Sequence, residues 1–168
     1  MRGNMLGQEE DSPYVLDANR LADVLAAIQA MGSYTFYKLS FDEWADRIAA
    51  DPGNAPHWRK VFEEHPEFFR LDTERNKASL IWRRQHPKLF HVDQERKLSK
   101  DEFMELTSEQ KARVSRVALN ASDIQALMQA AIDLHSRAIE HQRERRWWIP
   151  LIASAVGGLL GALVGVAL

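Results

Sequence analysis

The side chains best suited to acid–base or metal chemistry in this chain are its six histidines. No two of them have the i, i+4 spacing that would place two imidazole ligands on one helix face, and the HExxH signature does not occur. The chain has no cysteine, which excludes disulfides, thiolate metal ligands and cysteine nucleophiles. The six histidines are His57, His65, His86, His91, His135 and His141. His57 and His65 lie eight residues apart on the helix predicted over residues 55–65 and could share a face, but we interpret both as ordinary surface or boundary residues.

Other catalytic signatures are also missing from the sequence. There is no GxSxG motif and no glycine-rich phosphate loop, and four of the eight glycines lie within residues 157–165. No pair of carboxylates lies in an apolar stretch that would separate their pKa values for acid–base work. We predict no catalytic residue, no cofactor and no bound metal, and we expect that the protein is not an enzyme.

The C-terminal segment 147–168 has the composition of a membrane anchor. It carries no charged residue, and Ile149–Leu168 is long enough as a helix to cross roughly 30 Å of hydrocarbon. Arginines on its N-terminal flank predict that this flank stays in the cytoplasm, and two adjacent tryptophans fit the headgroup region. We expect a single-pass, tail-anchored protein with residues 1–146 in the cytoplasm and membrane lipid as a partner. The predicted interface residues are Arg143, Arg145, Arg146, Trp147 and Trp148.

Small residues recur at every fourth position inside this segment. Residues four apart lie on one helix face, and a face of small residues allows a second helix to approach closely. This repeated GxxxG pattern, a glycine zipper, predicts association with itself or with another membrane protein. Two alternatives stay open: glycine is frequent in membrane helices in general, and glycine zippers also occur in membrane-disrupting or pore-forming effectors. The stripe comprises Ala153, Gly157, Gly161 and Gly165, with Ser154 and Gly158 beside it.

Helices and short strands alternate in the region before the anchor. The predicted elements are a helix from Asp17 to Gly32, a strand over Tyr34–Leu39, a helix from Ser40 to Ile48, a helix from Ala55 to His65, and strands over Phe68–Leu71 and Ala78–Arg83. The turn-rich stretch 72–77 joins the last two strands as a hairpin. The aromatic residues predicted to form the core are Trp44, Trp58, Phe62, Phe68, Phe69 and Trp82.

This order of elements over residues 17–84 resembles the winged-helix fold. The resemblance implies that the third helix and the hairpin wing form a recognition surface, which in that family reads DNA. This surface carries both acidic and basic residues, whereas a DNA reader needs a net positive footprint. We therefore predict a protein-contact module, with a membrane-tethered DNA-binding regulator as the alternative. The candidate contact residues are Arg59, Lys60, Glu63, Glu64, Arg75 and Lys77.

The remaining segments are predicted to connect this domain to the membrane. Residues 1–16 are expected to be disordered, and residues 85–121 to form a linker with short helices over Lys100–Leu106 and Ser108–Leu119. A capping box at Ser122 and Gln125 predicts a helical stalk over residues 122–146. Its apolar residues recur at 3-4 spacing, which fits either an inter-chain coiled coil or a helix packed on its own domain.

Together these patterns predict an α+β, mostly helical chain. It comprises a small winged-helix-like domain over residues 17–84, a helical stalk and a single C-terminal transmembrane helix. A length of 168 residues suits one domain plus a stalk. The formal charge of −2 gives no basic signature of nucleic-acid binding. The expected function is that of a non-enzymatic adaptor, scaffold or accessory subunit of a membrane complex.

Overall fold

The computed structural model describes residues 12–146, and these are α+β and mostly helical. The chain divides into two compact units, one comprising residues 19–132 and the other the described residues 12–18 and 133–146. The predicted anchor 147–168, with its small-residue stripe and tryptophans, lies outside the described residues. None of the helices within residues 12–146 combines the length and the apolar character needed to span a bilayer.

The larger unit begins with three helices and a three-stranded antiparallel sheet, which we call the helix–sheet core. The helices are α2 (Arg20–Ser33), α3 (Phe41–Ala49) and α4 (Ala55–Glu64), and the strands are β1 (Lys38–Ser40), β2 (Phe69–Leu71) and β3 (Lys77–Leu80). The strand order is β1-β3-β2, so β3 is central and the hairpin strand β2 is an edge. In the register of the sheet, Ser79 lies between Lys38 on β1 and Arg70 on β2.

Aromatic side chains fill the interior of the helix–sheet core. Phe62 and Phe69 pack edge to face with their ring centroids 5.1 Å apart. The fully buried Trp44 donates a hydrogen bond from its indole Nε1 to the Ala78 carbonyl oxygen at 3.0 Å. Five of the six predicted core aromatics are buried. The exception is Trp82, 36% exposed, because the chain leaves the sheet after Leu80 and turns into a short 3₁₀ helix.

A second small sheet occupies the region predicted to be a linker. Its strands are β4 (Phe90–His91), β5 (Arg96–Lys97) and β6 (Val114–Ser115), in the order β5-β4-β6, and it is accompanied by helices α5 (Lys100–Glu105) and α6 (Ser108–Ala112). The prediction of one helix over Ser108–Leu119 is wrong, since α6 ends at Ala112 and β6 pairs with β4. The β-branched Val114 favours a strand, and pairing with distant residues prevails over local helix propensity.

Several predicted boundaries shift for local reasons. One helical turn, α1 (Pro13–Leu16), lies in the stretch predicted to be disordered, and the extended Asp17 follows it. The next helix therefore begins at Arg20 rather than after Asp17. The first strand, predicted over Tyr34–Leu39, begins only at Lys38 and ends at Ser40.

The last helix, α7 (Ala121–Arg146), begins one residue after Asn120. The Asn120 side chain accepts a hydrogen bond from the Asp123 backbone N–H at 2.8 Å, so Asn120 takes the capping role predicted for Ser122. Within the larger unit, the first turns of α7 pack on α2. A methyl group added at Gly32 would lie 2.8 Å from Ile124 Cγ1, so a larger residue there would force Ile124 or the helices to shift.

Candidate interaction site

Helix α4 presents two ion pairs on its exposed side. Pro56 occupies the first turn, where its missing N–H is tolerated, and Trp58, Val61 and Phe62 form the buried face of the helix. On the other face, Arg59 Nε lies 3.0 Å from Glu63 Oε1, and Lys60 Nζ lies 3.7 Å from Glu64 Oε1. Both pairs have the i, i+4 spacing that places side chains one above the other on a helix. The exposed face of α4 is therefore locally neutralised.

Strands β2 and β3 are joined by a tight turn over residues 72–76, which we call the wing. The Asp72 carboxylate accepts hydrogen bonds from the backbone N–H groups of Asn76 and Lys77, both at 3.1 Å. Arg75, at the tip, adopts a left-handed backbone with φ of 55°. Its guanidinium donates to Glu63 Oε1 at 2.9 Å, so one carboxylate joins the wing to α4.

Glu63 is the shared acceptor of this arrangement, and its electrostatics reflect that role. The hydrogen bond from Arg59 is the largest influence that lowers the pKa of Glu63 below its ordinary value, and Arg75 adds to it, while partial desolvation opposes the shift. The neighbouring Glu64 pairs with Arg20 of α2 at 3.0 Å, and the Arg20 side chain is almost fully buried. Glu64 therefore has a structural partner as well as an exposed one.

The structure brings together most of the predicted contact residues but not all of them. Arg59, Glu63 and Arg75 form one cluster, and Lys60 and Glu64 lie beside it on α4. We call these five residues the helix–wing surface: Arg59, Lys60, Glu63, Glu64 and Arg75. Lys77 lies apart from it, on β3 opposite Ser40, and lines a separate hollow of about 400 Å³.

A cleft of about 640 Å³ adjoins the helix–wing surface and continues over the outer side of the sheet. Sequence reasoning missed four of its five basic residues, namely Lys38, Arg70, Arg84 and Arg116. The alternation of buried Phe69 with exposed Arg70 along β2 is the signal that would have placed Arg70 on this outer side. Arg84 and Arg116 come from segments without a periodic pattern. The charged residues that line the cleft are Lys38, Arg70, Arg75, Arg84 and Arg116, with Glu63 and Asp72.

The buried Arg83 fixes one wall of this cleft. Its guanidinium donates to the carbonyl oxygens of Met31 at 3.0 Å, Thr35 at 3.2 Å and Arg116 at 2.6 Å, and also to that of Tyr34. Burial lowers the pKa of Arg83 to about 10, with a further contribution from the charge of Arg116. The group therefore stays protonated at neutral pH, and carbonyl dipoles surround its charge.

Arg116 directly follows β6 and contacts the segments that lie before β1 and after β3. Its guanidinium lies over the Tyr37 ring, 4.9 Å from the centroid, and donates to the carbonyl oxygen of Arg84 at 2.9 Å and to that of His86. Ser115, next to it, donates its hydroxyl to the Thr35 carbonyl at 2.8 Å. These contacts place the small sheet beside the cleft.

The two histidines associated with α4 have structural partners. His57 Nε2 lies 3.1 Å from Asp23 of α2, and its side chain is partly exposed, as expected. The expectation of a surface or boundary position is wrong for His65, which is 1% exposed and lies 2.9 Å from Glu67 through Nδ1. The chain turns at His65, whose carbonyl accepts hydrogen bonds from the N–H groups of Phe68 and Phe69. Across residues 12–146, no group of three or more histidine, aspartate or glutamate residues is arranged to hold a metal ion.

Comparison with known proteins assigns no role to this geometry. No protein-family model, no curated protein and no solved structure matches the chain. Function is therefore inferred from the contacts and charges of the chain itself.

Proposed function

We propose that this protein is a non-enzymatic, tail-anchored membrane protein whose cytoplasmic part is an interaction module. In this role it acts as an adaptor, a scaffold or an accessory subunit of a membrane complex. The observation that carries the proposal is the charge balance of the helix–wing surface, where Glu63 joins Arg59 to Arg75. Preorganised charges of both signs suit a protein partner with a complementary pattern, because such patterns give specificity in protein interfaces.

The same balance argues against duplex DNA as the ligand of this surface. DNA affinity comes largely from phosphate neutralisation by free lysine and arginine side chains. Arg59 and Arg75 each already share Glu63, and Lys60 pairs with Glu64. A phosphate would have to compete with these carboxylates and would also approach them closely.

Element order supports the proposal of a winged-helix-like domain within residues 17–84. Helix α2, strand β1, helices α3 and α4, and the hairpin β2–β3 follow one another along the chain, and the sheet order is β1-β3-β2. In this proposal α4 corresponds to the recognition helix of that family, and the β2–β3 turn corresponds to the wing. We propose that both elements contact a partner protein.

The membrane part of the proposal rests on the sequence. The uncharged segment 147–168 and the arginines before it support a tail anchor with its N-terminal side in the cytoplasm. The glycine repeat at Gly157, Gly161 and Gly165 supports pairing with itself or with another membrane helix.

Purification of the full-length protein from its native membrane in mild detergent tests the proposal. We expect a distinct chain to co-purify in stoichiometric amount with the wild type. The double variant Arg59→Glu and Lys60→Glu should lose that chain, because it reverses two charges that are more than half exposed. The matched control Lys97→Glu and Lys100→Glu makes the same charge change on exposed residues elsewhere and should retain it.

Two outcomes would contradict the proposal. One is a protein that purifies without any partner chain and whose orientation places residues 1–146 outside the cytoplasm in a protease-accessibility assay. The other is a salt-dependent gel shift of duplex DNA that the Arg59→Glu and Lys60→Glu variant abolishes, which would identify a DNA-binding regulator instead.

A further inference from the structure

The cleft beside the wing differs from the helix–wing surface in having an excess of positive charge. Its two carboxylates are already paired, Glu63 with Arg75 at 2.9 Å and Asp72 with Lys38 at 3.7 Å. Among the residues that the structure describes, no carboxylate or carbonyl oxygen accepts a hydrogen bond from the side chains of Arg70 and Arg84. Both side chains are exposed. The cleft thus presents two arginine forks that are free to bind carboxylates from another molecule.

The backbone beside these arginines favours an extended chain as the ligand. Strand β2 pairs only with β3, so its other edge has no partner strand among the described residues. Hydrogen bonds from Asp72 N–H to the Lys77 carbonyl and from Ile81 N–H to the Phe68 carbonyl fix the alternation along the strand. By that alternation, the N–H and C=O of Leu71 point away from the sheet. An added peptide could use both groups, as in strand addition at a sheet edge.

The walls of the cleft also suit side chains rather than a phosphate backbone. Tyr37, Pro66 and Leu71 supply apolar surface between the basic groups. Glu63 and Asp72 lie at the wing side of the same cleft, where a continuous row of phosphates would meet repulsion. A chain with carboxylates at intervals avoids those two residues while it reaches Arg70 and Arg84.

We propose that this cleft binds an extended acidic segment of a partner protein, whose carboxylates pair with Arg70 and Arg84 while its backbone lies along β2. The proposal rests on the proposed role as an interaction module and names the chemistry of the partner. The helix–wing surface and the cleft would then contact different parts of one partner. Because arginines hold the segment, its binding should weaken as ionic strength rises.

A defined probe tests this proposal with the full-length protein in non-ionic detergent. The probe is a fluorescein-labelled peptide of alternating glutamate and valine, and its binding is measured by fluorescence anisotropy at low salt. The variant Arg70→Glu and Arg84→Glu should bind it at least about tenfold more weakly, and Arg70→Gln and Arg84→Gln should fall between that variant and the wild type. The control Lys97→Glu and Lys100→Glu should bind the peptide with an affinity within about twofold of the wild type. The melting curve of the control, followed by circular dichroism, should match that of the wild type.

Three results would overturn the proposal. The first is no binding of the peptide by the wild type at low salt. The second is an equal loss in the control variant, which would show attraction by overall charge. The third is displacement of the peptide by duplex DNA of equal charge with higher affinity, which would make nucleic acid the ligand. None of these results decides the co-purification experiment, since that experiment depends on Arg59 and Lys60, outside the cleft lining.

Discussion

The helix–sheet core and the small sheet beside it are stabilised by different kinds of contact. In the core, large apolar side chains such as Trp44, Phe62 and Phe69 are removed from water almost completely. The small sheet, with strands of two residues each, has little apolar surface to bury and is attached through arginines. Arg83 and Arg116 donate to backbone carbonyls, and Arg113 lies over the Phe36 ring, 5.1 Å from its centroid.

This difference has consequences for cooperativity. Buried apolar area is non-directional, so a core held by it resists small displacements as a whole. Hydrogen bonds from one guanidinium to several carbonyls are directional, and they fail together when that side chain is removed. We therefore expect a change in the core to unfold the domain and a change at Arg83 to release the small sheet selectively.

The largest expected effect follows from truncation in the core. Phe62→Ala removes a fully buried ring that packs on Phe69 and lies near Trp58, at centroid distances of 5.1 and 6.3 Å. The free energy of unfolding should fall by about 3–5 kcal/mol, because the change loses apolar burial and leaves a cavity. Denaturant titration followed by circular dichroism measures it. A loss confined to the small sheet would contradict the proposed division of roles.

A smaller and more local effect is expected from Arg83→Met. This change keeps the apolar stem but leaves the carbonyls of Met31, Thr35 and Arg116 without their donor. The expected loss is about 2–4 kcal/mol, since each buried carbonyl left unpaired is unfavourable. Hydrogen exchange should show lost protection in β4 and β6 while β2 and β3 stay protected.

The neighbouring Arg84 provides the matched control for this experiment. It is exposed, so Arg84→Met should leave the protection of every strand close to that of the wild type. If Arg83→Met lowered protection equally in both sheets, the small sheet and the core would form one cooperative unit. The two regions would then not differ in how they unfold.

The same contrast explains how far the sequence predicts the fold. Apolar spacing and turn residues place α2, α3, α4 and the β2–β3 hairpin within a few residues of their observed bounds. The small sheet has no comparable pattern, because its strands are short and its anchors are arginines whose partners are carbonyls. Such partners are backbone groups that every residue has, so the sequence does not distinguish them.

The candidate site shows the same division. The residues of the helix–wing surface follow from the position of α4 and the wing in the chain, and their side chains do meet at Glu63. Arg84 and Arg116 reach the cleft because Arg83, which precedes Arg84 in the chain, donates to the Arg116 carbonyl oxygen and so holds the two segments together. Their contribution depends on tertiary contacts and could not be read from local spacing.

A third prediction concerns the packing of α2 on the first turns of α7. Gly32→Ala places a methyl group 2.8 Å from Ile124 Cγ1, closer than side-chain carbons approach one another. The helices must move apart or Ile124 must change rotamer, so we expect a loss of about 1–3 kcal/mol. Thermal unfolding measures this loss of stability.

The double variant Gly32→Ala and Ile124→Ala should be less destabilised than the sum of the two single changes, because the clash is absent. Strict additivity would contradict the close approach.

The smallest expected effect tests the link between α4 and the wing. The pKa of Glu63 is lowered in the folded protein, chiefly by the hydrogen bond from Arg59, so the carboxylate stabilises the fold while it is ionised. That contribution is fully present above the ordinary value of 4.5 and is lost as the pH falls through the lowered pKa. The side chain is 32% exposed, so solvent screening limits the contribution to less than about 1 kcal/mol.

Wild type and Glu63→Gln should therefore differ in melting temperature at neutral pH and converge in acid. A difference that persists unchanged in acid would assign the effect of Glu63 to packing instead of charge.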